Sequence, residues 1–274
     1  MGATGTGKSK LSIDIASRFP TEVVNADKIQ VYRGLDVTTN KIPLADRCGV
    51  PHHLLGEIDP AEGELQPAGF RALAGASVAG IAARGRIPVV VGGSNSCIYA
   101  MMVDRYDGRE NPFSGAPAGW RQHRYRSCLI WVDVEASTLA EHLDRRVDEM
   151  VGKGMVEELE GYFNEEGPAM ERHLGLAKAI GVPEFRKYFQ RRTATAYEEA
   201  LASVRTNTRR LAEEQLRKIK RLKQLGWRMQ RMDATAAVAA GIAGSSPSMA
   251  AQAWERDVVG PSLSAVEQFL REEN

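Results

Sequence analysis

Cysteine is scarce in this chain of 274 residues, and the three that occur, Cys48, Cys97 and Cys128, are widely spaced and odd in number. That excludes a disulfide-stapled scaffold, and with no Cys-x-x-Cys pair it indicates no zinc site; a reducing compartment is the default. Long apolar runs are missing as well: no stretch of about 18 apolar residues is present to cross a membrane as a helix. No basic segment precedes an apolar one in the manner of a signal peptide. Charge of one sign is absent too, with 36 Lys and Arg against 35 Asp and Glu and a formal net charge of +1. Nothing pulls the whole molecule toward nucleic acid or acidic lipid, so any anion recognition must be local. No repeat at a fixed period is visible. What is left, 43% hydrophobic and 26% charged residues, is an ordinary globular composition in a length that allows one or two domains.

Residues 2–9 read Gly-Ala-Thr-Gly-Thr-Gly-Lys-Ser, a complete GxxxxGK[ST] phosphate-binding loop, followed by an apolar helix start at Leu11, Ile13 and Ile15. Between Gly2 and Gly7 the backbone, with Ala3, Thr4, Gly5 and Thr6, can aim several N–H groups at one anion; Lys8 adds a charge and Ser9 a hydroxyl for Mg2+. The chain therefore handles a diphosphate or triphosphate. A P-loop hangs from the end of a buried parallel strand, and Met1 leaves no residues to make one. The expectation is a sheet lacking its first core strand, or a sequence that begins late.

Apolar runs at Glu22–Asn25, His53–Ile58, Ile87–Val91 and Cys128–Val134 read as buried strands, and a helical face (Phe70, Leu73, Ala74, Val78, Ile81) over 66–84 links two of them. The alternation predicts an α/β fold, a P-loop-containing parallel sheet flanked by helices. Gly92-Gly93-Ser94-Asn95 falls at a strand's carboxyl end, where such sheets bind ligands, or is simply a tight turn. Residues 104–126, rich in Gly, Pro and charge, read as an exposed excursion. The chain then turns helical, over 137–163 (Leu139, Leu143, Val147, Met150, Val151 inward) and 198–225 (Leu201, Val204, Leu211, Leu216, Ile219, Leu222 inward). Residues 235–253, Ala-, Gly- and Ser-rich, read as a loop. The expected organisation is a P-loop core over 1–135, a mainly helical region over 136–200, and C-terminal helices with a last strand returning to the core over 201–274.

Val23-Val24-Asn25-Ala26-Asp27 is a short strand that delivers an amide and a carboxylate beside the bound phosphates. Three roles for Asp27 stand open: a helix or turn cap worth about 1 kcal/mol, a Mg2+ partner, or a general base toward an acceptor held opposite the phosphates.

Taken in order, Gly2–Ser9, Asn25–Tyr32, Pro51–Leu55, Val91–Ser96, Trp131–Val134, Arg146–Met150, Ala179–Val182 and the closing Trp254–Arg271 resemble the successive blocks of the adenylate and tRNA dimethylallyltransferases. The resemblance spans nearly the whole chain and is nearest to the plant adenylate isopentenyltransferases that make cytokinins. It implies that the P-loop grips the diphosphate of dimethylallyl diphosphate and that N6 of an adenine nucleotide attacks its C1, with Mg2+ as cofactor near Ser9. It implies Asp27 as the base, with Thr4 and Ser94 as hydroxyls near the reaction. Arg146 and Arg209 join the diphosphate contacts, although Arg146 could equally pair with Asp148 or Glu149 on its own helix. Asn25, Lys28, Gln30 and Asn95 fall to the acceptor nucleotide, and a mainly helical region covers the prenyl donor. His52 and His53 suit a structural or acceptor-positioning role rather than a metal site.

One block departs from the pattern: Glu214 stands before Gln215 where the family usually has a basic residue, and a carboxylate facing the diphosphate would repel it. Without the long insertion or C-terminal zinc finger of tRNA-modifying relatives, a free nucleotide (AMP, ADP or ATP) is preferred to tRNA. The excess of basic residues over 205–231 suits polyphosphate ligands or RNA. A small-molecule P-loop kinase explains the P-loop and Asp27 but not the other blocks; an impaired relic is a third reading. A monomer is the default, in plastid or cytoplasm.

Overall fold

The computed structural model describes residues 1–114, 121–165 and 173–272; Gly115, Pro117 and Gly119 of the expected excursion lie outside the described residues. The P-loop leads into helix α1 (Lys8–Ala16), and the apolar run after it forms β1 (Thr21–Asn25), buried along its whole length. Strand β2 shrinks to His52–His53. The longer strand expected there stops because Leu54 and Gly56 take left-handed backbone, φ 59° and 71°. Helix α2 (Pro67–Ala83) starts on a proline and returns the chain to β3 (Ile87–Val91), and α3 (Asn95–Met102) follows the glycine turn. The three strands form a parallel sheet in the order β2-β1-β3.

Strand β4 (Ile130–Asp133) pairs in parallel with β5 (Gln230–Asp233) in a second, separate piece of sheet. Met1 stands at the free edge of β4, its amino group donating to the Ile130 carbonyl at 2.7 Å and its carbonyl accepting from Val132 N–H at 2.9 Å. That single residue is all that occupies the first core strand's expected place among the described residues. The buried apolar side chains likewise divide in two. One cluster includes Val24, Phe70, Met101, Leu159 and Phe185; the other gathers Leu11, Ile15, Val132, Leu143, Met232 and Trp254.

The helical run expected over 137–163 is two helices, α4 (Ala136–Gly152) and α5 (Met155–Glu165), because Gly154 turns left-handed between them. Helix α6 (Val182–Arg191) precedes the 31-residue α7 (Ala194–Gln224), which lies along α4 and α6. Leu211 of α7, expected inward, is exposed; the buried stripe instead runs through Val204, Thr208, Ala212, Gln215 and Ile219. Residues 235–253 are not a loop: they contain α8 (Thr235–Ile242) and α9 (Pro247–Trp254), which continues through one turn of π-helix (Glu255–Val259) into α10 (Gly260–Arg271). Alanine is the best helix former, so an Ala-rich stretch needs little apolar contrast to become helical; α8 buries none of its residues fully.

Candidate active site

The P-loop takes its shape from what is packed behind it. Gly7 has φ 87° and ends the loop as the residue before α1; a Cβ there would lie 2.5 Å from the Trp254 ring. Trp254 is fixed in turn by its indole N–H, which donates to Asp14 at 2.7 Å, so the closing block of the chain forms a wall of the phosphate loop. Leu143 of α4 lies against Gly5, and the Val132 carbonyl of β4 against Gly2. Gly2, Ala3 and Thr6 are buried inside the loop, the Thr6 hydroxyl donating to the Ala3 carbonyl at 3.0 Å. No side chain caps the start of α1 and no acidic residue sits in its first turn. Its free N–H groups and positive dipole end are left to an anion.

A cavity of about 250 Å³ opens over this loop at the carboxyl ends of β1 and β3. Thr4, Gly5, Gly7, Lys8 and Ser9 line one part, and Asn25, Asp27, Gln30, Gly92 and Gly93 another. Asn25 builds the turn that presents Asp27: its amide donates to the Leu54 carbonyl at 2.8 Å and its Oδ1 accepts from Asp27 N–H at 3.2 Å. Oδ1 of Asp27 accepts from the N–H groups of Ile29 (3.0 Å) and Gln30 (3.3 Å). The carboxylate thus does cap its turn, through one oxygen, and the cavity receives the group. The Ser94 hydroxyl accepts from Lys28 N–H at 2.9 Å, tying the Asp27 turn to the glycine turn. Ser94, Lys28 and Asn95 are not in the cavity wall. Lys28 reaches out toward Glu64, and Asn95 is buried, donating to the Gln215 carbonyl at 3.1 Å.

Two cations converge from different elements. Arg146 of α4 donates to the Thr4 hydroxyl at 2.9 Å rather than pairing along its own helix, and its Nε is buried without a partner. Asp148 turns instead to Arg205. Lys8 donates to the Ala3 carbonyl at 2.5 Å. Burial lowers the Lys8 ammonium to about 8, with Asp27 opposing the shift and Arg146 adding to it. Burial likewise lowers the Arg146 guanidinium to about 10 against the pull of Glu149 and Asp27. Both cations are short of counter-charge, the electrostatic condition of an anion site. Arg209 is not in the wall; it pairs with Asp144 at 3.2 Å.

Sequence reasoning assigned no role to three residues of this site. Gln215 of α7 is buried, and its Oε1 accepts from Thr4 N–H at 2.7 Å while its amide group fills the space in front of Gly93. His142 lines the cavity, its ring held toward the neutral form by burial and by Arg146. Trp254 is the third. The sole sequence signal for Gln215 and Trp254 was their place in blocks of the resemblance. Glu214, the departure from the pattern, is exposed and paired with Arg217 at 2.9 Å. One helical step, about 100°, separates it from Gln215 and turns its charge away from the loop.

Among the described residues no cluster of three His, Cys, Asp or Glu side chains is built to hold a metal. The exposed Ser9 hydroxyl and the Asp27 carboxylate do line one cavity. Such a sparse, hard, oxygen-only donor set suits Mg2+, which keeps waters and takes its remaining ligands from substrate phosphates.

A family model described as IPP transferase matches residues 30–105 and 103–222. The adenylate isopentenyltransferase of Humulus lupulus is 46% identical over 99% of this chain and 89% of its own length. The chloroplastic adenylate isopentenyltransferase 1 of Arabidopsis thaliana is 44% identical (98% and 80%), and the mitochondrial adenylate isopentenyltransferase 7 is 37% identical (100% and 80%). In fold, the chain is similar to a eukaryotic dimethylallyltransferase acting on tRNA (TM-score 0.79, 21% identity, 99% of this chain and 78% of that one). It is also similar to the full-length tRNA isopentenylpyrophosphate transferase of Bacillus halodurans (TM-score 0.75, 24% identity, 99% and 97%).

Proposed function

The chain belongs to the adenylate isopentenyltransferase family, and from that premise we propose that it transfers the dimethylallyl group of dimethylallyl diphosphate to N6 of an adenine nucleotide, releasing diphosphate, as a step of cytokinin biosynthesis. The observation that carries this reading is the placing of an anion cradle (the P-loop amides, Lys8 and Arg146) and a carboxylate, Asp27, on the walls of one small cavity. In a kinase the loop would hold the phosphates of the nucleotide. Here it holds the leaving group.

The chemistry follows from that arrangement. A bond forms between N6 and C1 of the allyl group as the C1–O bond breaks, and the electron pair leaves on diphosphate. Negative charge grows on the bridging oxygen, where the free N–H groups of α1 and the two under-compensated cations stabilise it. Arg146, bonded to Thr4, sets that hydroxyl at the reacting end of the loop. An exocyclic aromatic amine is a weak nucleophile, so loss of its proton must accompany attack, and the Asp27 carboxylate is the acceptor of that proton. Mg2+, when bound by Ser9 and diphosphate oxygens, supplies further charge neutralisation of the leaving group. Asn25, Gln30 and the Gly92-Gly93 turn form the acceptor side.

A tRNA acceptor is the second reading, favoured by the fold neighbours, whose identity to this chain is 18–24%. The curated adenylate enzymes stand at 37–46% over nearly all of it, which supports the free nucleotide. No helix among the described residues is long and apolar enough to cross a membrane. The names of the relatives include chloroplastic and mitochondrial forms, and we place this one in a plastid.

Mass-spectrometric product analysis with dimethylallyl diphosphate and AMP, ADP, ATP or tRNA tests the reading. Prenylated nucleotide is the expected product, and Asp27→Asn is expected to lower kcat by about 10²- to 10⁴-fold. Transfer to tRNA alone overturns the acceptor assignment, and undiminished transfer by the variant removes Asp27 as the base.

A further inference from the structure

His142 lines the active-site cavity, and the chemistry above gives it no task. It lies on α4 four residues before Arg146, and side chains so spaced share a helix face. Arg146 bonds to the Thr4 hydroxyl, and His142 covers the next residue of the P-loop. Cδ2 of its ring, the carbon bonded to Nε2, stands 3.4 Å from where a Cβ on Gly5 would lie. The ring is therefore at the tip of the loop. Two histidines belong to the cavity wall, and they differ in their bonding. His52 is tied through Nδ1 to the Val50 carbonyl at 2.8 Å. Neither nitrogen of His142 hydrogen-bonds to another described residue.

The charges around the ring are those of Arg146 and Glu149 on its own helix, Lys8 and Lys10 of α1, and Asp27 beyond β1. From α7 comes Arg209, which Asp144 holds at 3.2 Å. Helix α8, also packed on α4, carries no titratable side chain. Burial, then Arg146, pushes the imidazole below its ordinary value, with Glu149 opposing. Phosphate oxygens entering the loop reverse the field, because they place negative charge against the ring and occupy the cations that repel its proton. An imidazole differs from Arg146 in one respect: it can shed its charge near neutral pH.

We propose that His142 is a proton-dependent diphosphate contact, its imidazole donating to a phosphate oxygen when the P-loop is filled. The inference rests on the loop holding diphosphate, as in the reaction above. The proton comes from solvent as diphosphate binds and returns to it as the product leaves, so the grip on the leaving group loosens with release. The sign of the pH dependence follows. Bound diphosphate raises the affinity of the ring for its proton, so this contact is complete at low pH and fades as pH rises through the value of the bound state.

The test follows the five histidines of the full chain by NMR across pH, with and without inorganic diphosphate and Mg2+, His142→Gln identifying the signal. The His142 ring is expected to titrate at least about one pH unit higher when diphosphate is bound. Calorimetric binding is expected to show His142→Gln weakening diphosphate by about tenfold near pH 6.5, the difference closing toward about pH 9. His142→Phe, which keeps a ring against Gly5, is expected to match His142→Gln. A ring that titrates alike in the two states, or variants whose affinity follows pH in parallel with the parent, overturns this inference and leaves the proposed reaction standing. Diphosphate that binds to none of the proteins overturns both.

Discussion

Replacing Gly92 by alanine tests how the carboxyl ends of β1 and β3 place the reacting carboxylate. A Cβ on Gly92 would lie 2.1 Å from the Ala26 carbonyl oxygen, 2.2 Å from its carbon and 2.7 Å from Cα. All three are backbone atoms, so no side-chain rotation relieves the overlap. The Ala26 peptide is also held from both ends, its N–H donating to Val91 at 2.7 Å and its carbonyl accepting from Ser94 N–H at 3.1 Å. Ordinary carbon contacts start near 3.5 Å, so the strands must part by about 1 Å or more. Overpacking costs about 1–3 kcal/mol, and two weakened backbone hydrogen bonds add about 1 kcal/mol each. A total of roughly 3–5 kcal/mol lowers the melting temperature by about 6–10 °C in a chain of this size. Asp27 follows Ala26 directly, and misplacing a reacting group by about 1 Å costs on the order of 100-fold in rate. Gly93→Ala is the comparison, because there the nearest atoms, at 2.3 and 2.9 Å, belong to the Gln215 side chain. That side chain can swing aside, giving up its bond to Thr4, so the loss should be smaller, about 1–2 kcal/mol. Calorimetric melting and turnover with saturating donor and acceptor measure both effects. A Gly92→Ala protein that melts within about 1 °C of the parent with unchanged kcat, or that outlasts Gly93→Ala, refutes the reasoning.

Other outcomes follow from single residues. Hydrogen bonds from Arg84, then His53, hold the buried Glu22 carboxyl at about 2 rather than 4.5. Its contribution to stability is therefore complete above pH 4.5 and fades as pH falls toward 2. The gap in urea midpoint between the parent and Glu22→Gln should shrink over that window, and a constant gap contradicts the assignment. Glu158 of α5 accepts from Val37 N–H (3.0 Å) and from the Thr38 N–H and hydroxyl (both 2.7 Å), pinning the loop that carries Asn40 into the cavity wall. Glu158→Gln should cost about 1–3 kcal/mol and speed hydrogen exchange at Val37 and Thr38. Gly161 lies inside α5 with open space where a Cβ would go. Gly161→Ala should stabilise the protein by about 0.5–1 kcal/mol, read as a higher melting temperature at unchanged turnover.

What could be read in the sequence was what neighbouring residues decide. The P-loop, the Asp27 turn and strand Ile87–Val91 depend on local backbone and an apolar run, and all three stand where the chain alone put them. The strand at His53–Ile58 failed locally too, since nothing in Leu54 announces a positive φ. The apolar pattern of helix α7 points Leu211 inward, but its inner face carries Thr208 and Gln215, buried polar residues of which Gln215 serves the loop. The same cause hid Gln215 itself: its value lies in a bond to Thr4, 211 residues away. Glu214 would repel the diphosphate only if its place in the pattern faced the loop, and helical phase turns it outward to Arg217 instead.

The ring of Trp254 against Gly7 carries a consequence for the order in which the molecule forms. The phosphate loop is synthesised ahead of all its walls, which come from Leu143, Gln215 and Trp254, and the Asp14–Trp254 bond spans 240 residues. Contacts so distant in sequence close late, after the entropy of large loops has been overcome. On the ribosome, the loop must therefore wait, unable to grip an anion, until the carboxy-terminal helices have emerged and seated the tryptophan behind it.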